Sequence, residues 1–371
     1  MKYFIYRFNP STIGIKADSN LSVICPERLK DNYLELNFPS TNISTIKDFD
    51  LPELLQLFES RNDISDIFTL DEGLMHITGI LKSLFTDHNQ AWKIAYAYKD
   101  KKIMRQTLAG KINQPALLDN DDQLPDQFMI KPRCEASGKD IHIVSEVPDY
   151  YSTKDYILET VESFDTMFTC DGIAVNGKIE YFFTHEYIGN ILDIKKNYFN
   201  IIRTNSFYNN EQFIERLKNE TQCVLDNLGT EEVHPFHAEF FYQADTDRLS
   251  FCEIGKRFGG GNIPLLVKQA FKFDLLATYW KLINGNLEKN NYNEKPQFIA
   301  LTLAIFQSGQ KQLPPTLPIT FDYYREYPEK ESISATSLDD LRFLITFTLK
   351  SQQEFTHVFE LLKGYLHEQR K

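Results

Sequence analysis

The stretch HAEFFYQADTDRLSFCEI, residues 237–254, constrains the fold more than any other segment. Two aromatic and apolar runs flank ADTD, a turn-forming tetrapeptide, and read as an antiparallel hairpin. With the turn centred on Thr246, Glu239 faces Glu253, Phe241 faces Phe251 and Gln243 faces Leu249, all on one side of the ribbon. Ala238 with Ile254, Phe240 with Cys252 and Tyr242 with Ser250 take the other side. Neither side is a solvated face, so the hairpin belongs within a larger sheet and carries two acids among aromatic side chains. Ionised carboxylates ~5 Å apart repel by roughly 3 kcal/mol at an effective dielectric near 20. A shared proton, a nearby cationic side chain or a divalent cation relieves that repulsion. Lys256 and Arg257 follow directly, so a structural ion pair is one reading. Gly259, Gly260 and Gly261 then let backbone approach a ligand, and Asn262-Ile263-Pro264 opens an amphipathic helix, LLVKQAFKFDLLATYWKL. Two acids, an arginine, a glycine run and a helix start together suit a metal-bound polyphosphate.

A chain of 371 residues buries a sizeable core in two or three domains. Its net charge of -12 argues against nucleic acid or an anionic membrane as partner, while leaving room for a local basic nucleotide pocket. The five cysteines are dispersed, without a CxxC or a Cys/His cluster, which suggests reduced thiols and a cytoplasmic location. No apolar run is long enough to span a membrane, and MKYFIYRFNP lacks the apolar stretch of a secretory leader. The sequons at Asn42 and Asn219 are discounted for such a chain.

Along the chain, KYFIYRF, LSVICPE and DISDIFTL read as strands, with helices at DLPELLQLFESR and GLMHITGILKSLF, giving a small α/β unit over 1–95. No GxGxxG follows any of these strands. Asp71-Glu72 reads chiefly as a helix start, with contact to substrate as the other reading. AYAYKDKKIMRQTLAG reads as one helix closed by Gly110. Beyond the loop LDNDDQLPDQ, FMIK and IHIVSEV form two strands around the small-residue loop RCEASGKD, a flap able to fold over phosphates. Asn176-Gly177 marks a type I′ hairpin turn, which explains GIAVNGKI better than a P-loop does, because Ile179 stands where Ser or Thr is needed. EQFIERLKNETQCVLDNLG is helical. The tail gives a strand FIALTLAIF, a Pro-rich loop QLPPTLP, a strand DLRFLITFTL and a helix THVFELLKGYLHEQRK. His234 and His237 read as local polar contacts, with contact to a ligand as the lesser reading for His237.

The order of these features resembles the ATP-grasp superfamily, and most of all its carboxylate–amine ligase branch, which includes the bacterial L-amino-acid ligases. Asp100-Lys101 with Met104-Arg105 resembles the helix that opens the ATP-grasp domain. Met129-Ile130-Lys131-Pro132 resembles the strand bearing the second ATP lysine, with Ala136-Ser137-Gly138 as the phosphate-covering loop. Glu159-Thr160-Val161-Glu162 resembles the adenine-binding hinge, and Asp165 falls at the ribose-binding position. The resemblance makes Glu239 and Glu253 the magnesium ligands and Arg257 the phosphate or carboxylate arginine. The covering loop is poorer in glycine than in many relatives, Gly255 replaces an Asn that helps a second magnesium, and Ser163 replaces the glycine after the hinge.

The fold so implied is α/β (α+β): a Rossmann-like N-terminal domain (1–95), a small lid subdomain (96–163) and a larger antiparallel-sheet subdomain with a C-terminal α+β extension (164–371). The activity so implied is ATP-dependent amide formation between a small carboxylic acid and an amine, amino-acid-like, through an acyl phosphate. Mg²⁺, or Mn²⁺ in its place, serves ATP. Lys101, Lys131, Ser137 and Gly138 meet phosphates; Lys131, Glu253 and Arg257 carry the catalytic roles. Gly260, Gly261 and Asn262 border the substrate, whose pocket is expected to be shaped by them and by loops of the first domain. A homodimer is the family expectation. Two other readings stand beside this one: a peptide- or protein-modifying ligase, and a nucleotide-binding regulator without turnover.

Overall fold

The computed structural model describes every residue except 120–122, 190–197, 287, 289–290, 309–311, 313, 315–318, 330–339 and 369–371, with the side chains of 366–368 also outside the description. Most of QLPPTLP, part of LDNDDQLPDQ and the end of the last helix therefore lie outside it.

The first unit alternates strands and helices: β1 (Lys2–Ile5), β2 (Leu21–Pro26), α1 (Lys30–Glu35), β3 (Ile43–Ile46), α2 (Leu51–Glu59), β4 (Asp66–Phe68) and α3 (Met75–Phe85). Its sheet is parallel throughout, in the order β3-β2-β1-β4. β1 is central and its Phe4 and Ile5 are wholly buried, as apolar runs in a parallel sheet covered on both faces must be. Strand β3 and helix α1 had no clear sequence signal. ISTI is too short and polar to stand out, and it gains its ladder only from β2.

The expected single helix after Ala91 is two helices, α4 (Ala91–Lys99) and α5 (Lys101–Leu108). The chain breaks at Asp100 (φ -88°, ψ 107°), whose carboxylate accepts from the Lys102 backbone N–H at 2.9 Å and caps α5. A helix-compatible residue in mid-pattern concealed its capping role. Next comes an antiparallel lid sheet of β5 (Leu117–Leu118), β6 (Phe128–Pro132), β7 (His142–Val144) and β8 (Tyr156–Thr160), in the order β5-β8-β6-β7.

The remainder is built on an eight-stranded antiparallel sheet. β9 (Thr166–Val175) and β10 (Lys178–Ile188) are joined at Asn176-Gly177, both at positive φ as a type I′ turn requires. These strands touch closely at Gly172, where a Cβ would lie 1.9 Å from the Tyr181 carbonyl oxygen. Then follow β11 (Phe199–Thr204), α6 (Glu211–Leu228), β12 (Val233–Gln243), β13 (Arg248–Gly255), α7 (Ile263–Phe271), α8 (Leu275–Ile283), β14 (Ile299–Phe306), β15 (Tyr323–Glu326), β16 (Leu341–Leu349) and α9 (Gln352–Glu368). The strand order is β13-β12-β9-β10-β11-β14-β16-β15. The expected long helix after Asn262 is again a pair, α7 and α8, parted where Lys272 adopts φ +56° and Asp274 caps α8.

Three cores fix this sheet. One face of β9 and β12 packs Phe168, Phe236 and Phe240 against α4, α5 and α6. α7 and α8 fill the space between the parallel sheet and the strands β10 and β11. The outer face of β14 and β16 packs Leu303, Ile305, Phe343 and Ile345 against α9. Each such aromatic or aliphatic side chain contributes about 1.5–3 kcal/mol by leaving water.

Candidate active site

The hairpin of β12 and β13 pairs Glu239 with Glu253, Ala238 with Ile254 and His237 with Gly255. Nearer the turn the expected register fails. Phe240 pairs with Phe251, Phe241 with Ser250 and Tyr242 with Leu249, because Cys252 is an extra residue in a β-bulge. The bulge solves a packing conflict. Phe251 enters the aromatic core with Phe240, their ring centroids 5.6 Å apart, while the next two residues, Cys252 and Glu253, both border one cavity. A constant index sum cannot foresee an inserted residue.

The two acids have different partners. Glu239 Oε1 accepts from the Tyr187 hydroxyl at 2.8 Å and lies 3.5 Å from His237 Nε2. Glu253 Oε2 lies 3.3 Å from Lys101 Nζ. Burial pushes the Glu253 carboxyl up, yet Lys101 and Lys131 together hold the group below its ordinary range. Arg257 does not pair with either acid; its Nε donates to Glu72 of the β4–α3 connection, and Lys99 meets the other Glu72 oxygen at 2.9 Å. Burial lowers the Arg257 value, and Glu72 more than reverses this.

Around Glu239 lies a buried charge cluster. Asp171 Oδ1 is 2.8 Å from His237 Nδ1, and Asp171 Oδ2 is 3.5 Å from His185 Nδ1. Burial lowers the His237 value, but Asp171 raises it further, to about 9, so the imidazole is a cation at neutral pH. Gly259 is needed beside them: a Cβ there would sit 2.6 Å from Asp171 Oδ1 and 2.7 Å from His237 Nδ1.

The lid contributes a second ionic group. Glu159, on β8, is fully buried between Lys131 of β6 and Arg105 of α5. Arg105 Nε donates to Glu159 at 3.1 Å, and Arg105 Nη2 donates to the Cys252 carbonyl at 2.6 Å. Burial raises the Glu159 value, and Lys131 with Arg105 brings it below the ordinary range. With two cations and one anion, the group carries net positive charge beside the cavity. Asp100, which caps α5, also binds the Arg133 guanidinium at the end of β6.

A cavity of about 260 Å³ joins these parts. Of the residues singled out in the sequence, Lys131, Ser137, Gly138, Glu159, Thr160, Glu162, Glu239, Glu253, Arg257, Gly260 and Gly261 line it. Lys101 borders two small polar recesses beside it, together with Glu253. Val161, Asp165 and Asn262 are not among its lining residues. Asp165 instead accepts from the Ala244 backbone N–H at 2.7 Å, and the Asn262 amide donates to Thr346 Oγ1 at 3.1 Å. The first unit gives the cavity no described lining residue, contrary to expectation; strands β11, β14 and β16 form that wall. His237, read as a local contact, lines it too. Tyr187, Asp171 and Glu72 act in the cluster without having been singled out for it. Only Glu72, next to a helix start, had drawn notice, and no spacing rule links it to a residue 185 positions away.

Among the described residues no group of three or more His, Cys, Asp or Glu forms a metal cage. Glu239 Oε2 and Glu253 Oε1 nevertheless have no protein partner among those residues, and both side chains border the cavity. Two free hard oxygens on side chains that border the cavity holding Lys131 and Arg257 fit Mg²⁺, which commonly takes one or two carboxylates and completes its shell with phosphates and water.

Several solved structures share this architecture. The L-amino acid ligase from Bacillus licheniformis is 13% identical, with a TM-score of 0.69 over 98% of this chain and 97% of that one. The carboxyaminoimidazole ribonucleotide synthase from Aspergillus clavatus, complexed with ATP, is 12% identical, with a TM-score of 0.69 over 99% and 98%. The biotin carboxylase from Campylobacter jejuni is 13% identical, with a TM-score of 0.61 over 96% and 89%. Neither a family model nor a curated protein matches the sequence. The chain has the ATP-grasp fold, with its parallel sheet, lid sheet and large antiparallel sheet.

Proposed function

We propose that this ATP-grasp chain is an ATP-dependent carboxylate–amine ligase that forms an amide bond and releases ADP and phosphate. The observation that carries this reading is the facing pair Glu239 and Glu253, each with one oxygen that has no partner among the described residues and each bordering the cavity that also holds Lys131 and the flap residues Ser137 and Gly138. The substrates on this reading are an amino acid or another small organic acid, and an amine.

A carboxylate does not condense with an amine in water, because oxide is too poor a leaving group. Transfer of the ATP γ-phosphoryl group gives an acyl phosphate and ADP. The amine then attacks the acyl carbon, phosphate departs and the nitrogen loses a proton. Glu239 and Glu253 would hold Mg²⁺, which when bound neutralises phosphate charge. Lys131, kept cationic by Glu159, meets the phosphates. Arg257, aimed by Glu72, steadies the charge that develops on the transferring phosphoryl group and on the acyl oxygen. The flap around Ser137 and Gly138 closes over the phosphates and keeps water from the acyl phosphate. Tyr187 and His237 fix the Glu239 carboxylate so that its other oxygen remains presented.

The test is ADP and phosphate release with MgATP against paired panels of acids and amines. Release is expected only when a suitable acid is present, and Glu253→Gln is expected to lose turnover with an unchanged circular dichroism spectrum. ADP release at the wild-type rate from that variant would remove the acid pair from the mechanism. Nucleotide binding with no acid-dependent turnover in any pairing would favour the regulator.

A further inference from the structure

We propose that the end of the cavity beyond the acid pair is a subsite for an uncharged, mainly apolar group on the carboxylic acid, with Asn200 reading one neutral hydrogen-bonding group on it; this rests on the ligase reading above. The wall of this subsite is one face of β11, β14 and β16. Asn200 pairs with Ala304, which pairs with Leu344, and Phe306 pairs with Leu341. Directly paired residues share a sheet face, and Ile202, two residues beyond Asn200, shares it too. All six line the cavity. The opposite face of the same strands is committed to the core under α9.

The chemistry of the wall changes abruptly along the cavity. Every Lys, Arg, His, Asp or Glu among the described lining residues sits on the lid sheet, in the segment after it, on β12 and β13, or on the loop after β13. None lies on β11, β14 or β16. A charged group placed there would lose water and find no counter-charge among the described lining residues. Asn200 is the polar exception. It is 5% exposed, and its side-chain amide makes no hydrogen bond to the described residues. One rung away the polar groups are satisfied among themselves: Thr302 meets Thr346 at 3.1 Å, and Thr346 accepts from Asn262 at 3.1 Å. A buried amide left open toward a cavity is costly unless a ligand or water completes it.

Geometry assigns this end to the acid. The lid lies over the β12–β13 edge of the sheet, where Lys101 meets Glu253 and Arg105 meets the Cys252 carbonyl. The wall lies beyond β10, toward the other edge. In phosphoryl transfer the attacking and leaving oxygens lie roughly in line, so the attacking carboxylate stands across the phosphoryl group from ADP. With the nucleotide under the lid, the acid points its organic part at the wall.

Binding is measured by saturation-transfer NMR and calorimetry on the full chain with Mg²⁺ and a non-hydrolysable ATP analogue. The probes are 4-methylpentanoate, 4-hydroxypentanoate, glutarate, 6-aminohexanoate and 3-methylbutylamine. The expected order places 4-methylpentanoate and 4-hydroxypentanoate at least about 100-fold tighter than glutarate and 6-aminohexanoate. Asn200→Leu should weaken 4-hydroxypentanoate about 5–10-fold relative to 4-methylpentanoate. Ala304→Phe, which fills the wall, should weaken both by about 10-fold or more while propionate binding holds. Glutarate or 6-aminohexanoate binding as tightly as 4-methylpentanoate overturns the proposal. So does 3-methylbutylamine competing for the wall, or affinities for 4-methylpentanoate and 4-hydroxypentanoate that neither variant changes. Failure of the nucleotide analogue itself to bind strikes the ligase reading instead, and calorimetry reports it separately.

Discussion

Glu159→Gln tests the lid's ionic group most directly. The native side chain is 0% exposed and lies between Arg105 at 2% and Lys131 at 5%. The amide keeps the shape and removes the only negative charge, leaving two cations side by side with little water. Breaking a buried pair in this way costs about 3–5 kcal/mol. Urea unfolding at pH 7.5 should show that loss as a lower midpoint with an unchanged slope. A second substitution, Arg105→Met, removes one of the stranded cations, and the double variant should recover at least about 1 kcal/mol relative to additivity. The pH dependence follows from the sign of the shift. The folded carboxyl of Glu159 is depressed, so its stabilisation is fully present above about pH 4.3, the ordinary glutamate value, and fades as pH falls toward the folded value. The gap between wild type and Glu159→Gln should therefore narrow below about pH 4. A variant within about 1 kcal/mol of wild type at pH 7.5, or strict additivity in the double variant, would refute the reasoning.

Three further outcomes are expected. Arg257→Ala should lower kcat/KM by about 100–1000-fold, and Glu72→Ala, which frees Arg257 without removing it, by about 10–100-fold with Lys99→Met no worse; steady-state ADP release checks both. Gly259→Ala should cost activity while the fold survives, because its Cβ displaces Asp171 and His237 rather than core side chains alone; wild-type kinetics would remove that contact from the argument. His234 is buried, and burial with Lys256 nearby holds its value down to about 4, so the unfolded chain takes a proton that the folded chain refuses. Wild type should lose about 3 kcal/mol between pH 6.5 and 4 that His234→Gln does not lose, as read by denaturation at stepped pH.

The acid rung was legible because the turn ADTD and two flanking aromatic runs fix a pairing near the site. The lid strand with Lys131 and the glycine run were legible for the same local reason. What escaped is long-range or irregular. The bulge at Cys252 adds one residue without altering composition. Helix breaks at Asp100 and Lys272 occur inside patterns that remain amphipathic across the break. Tyr187, Asp171 and Glu72 join the site through strand order and packing between units, which periodicity does not encode. The cavity wall escaped because β11, β14 and β16 look like any half-buried strands until their neighbours are known.

Two of the attachments between the lid and β13 use main-chain atoms of β13. β13 is an edge strand, and its outward backbone groups at the bulge are covered: the Phe251 N–H donates to the Asn113 carbonyl at 2.7 Å, and the Cys252 carbonyl accepts from Arg105. A peptide group is the same whatever side chain it carries. Substitutions at Phe251, Cys252 or Asn113 that respect volume would leave this joint intact, so its letters are free to drift over evolutionary time while the joint persists. Homology detection that compares letters has little to grip at such a place, whereas superposition of backbones still finds it.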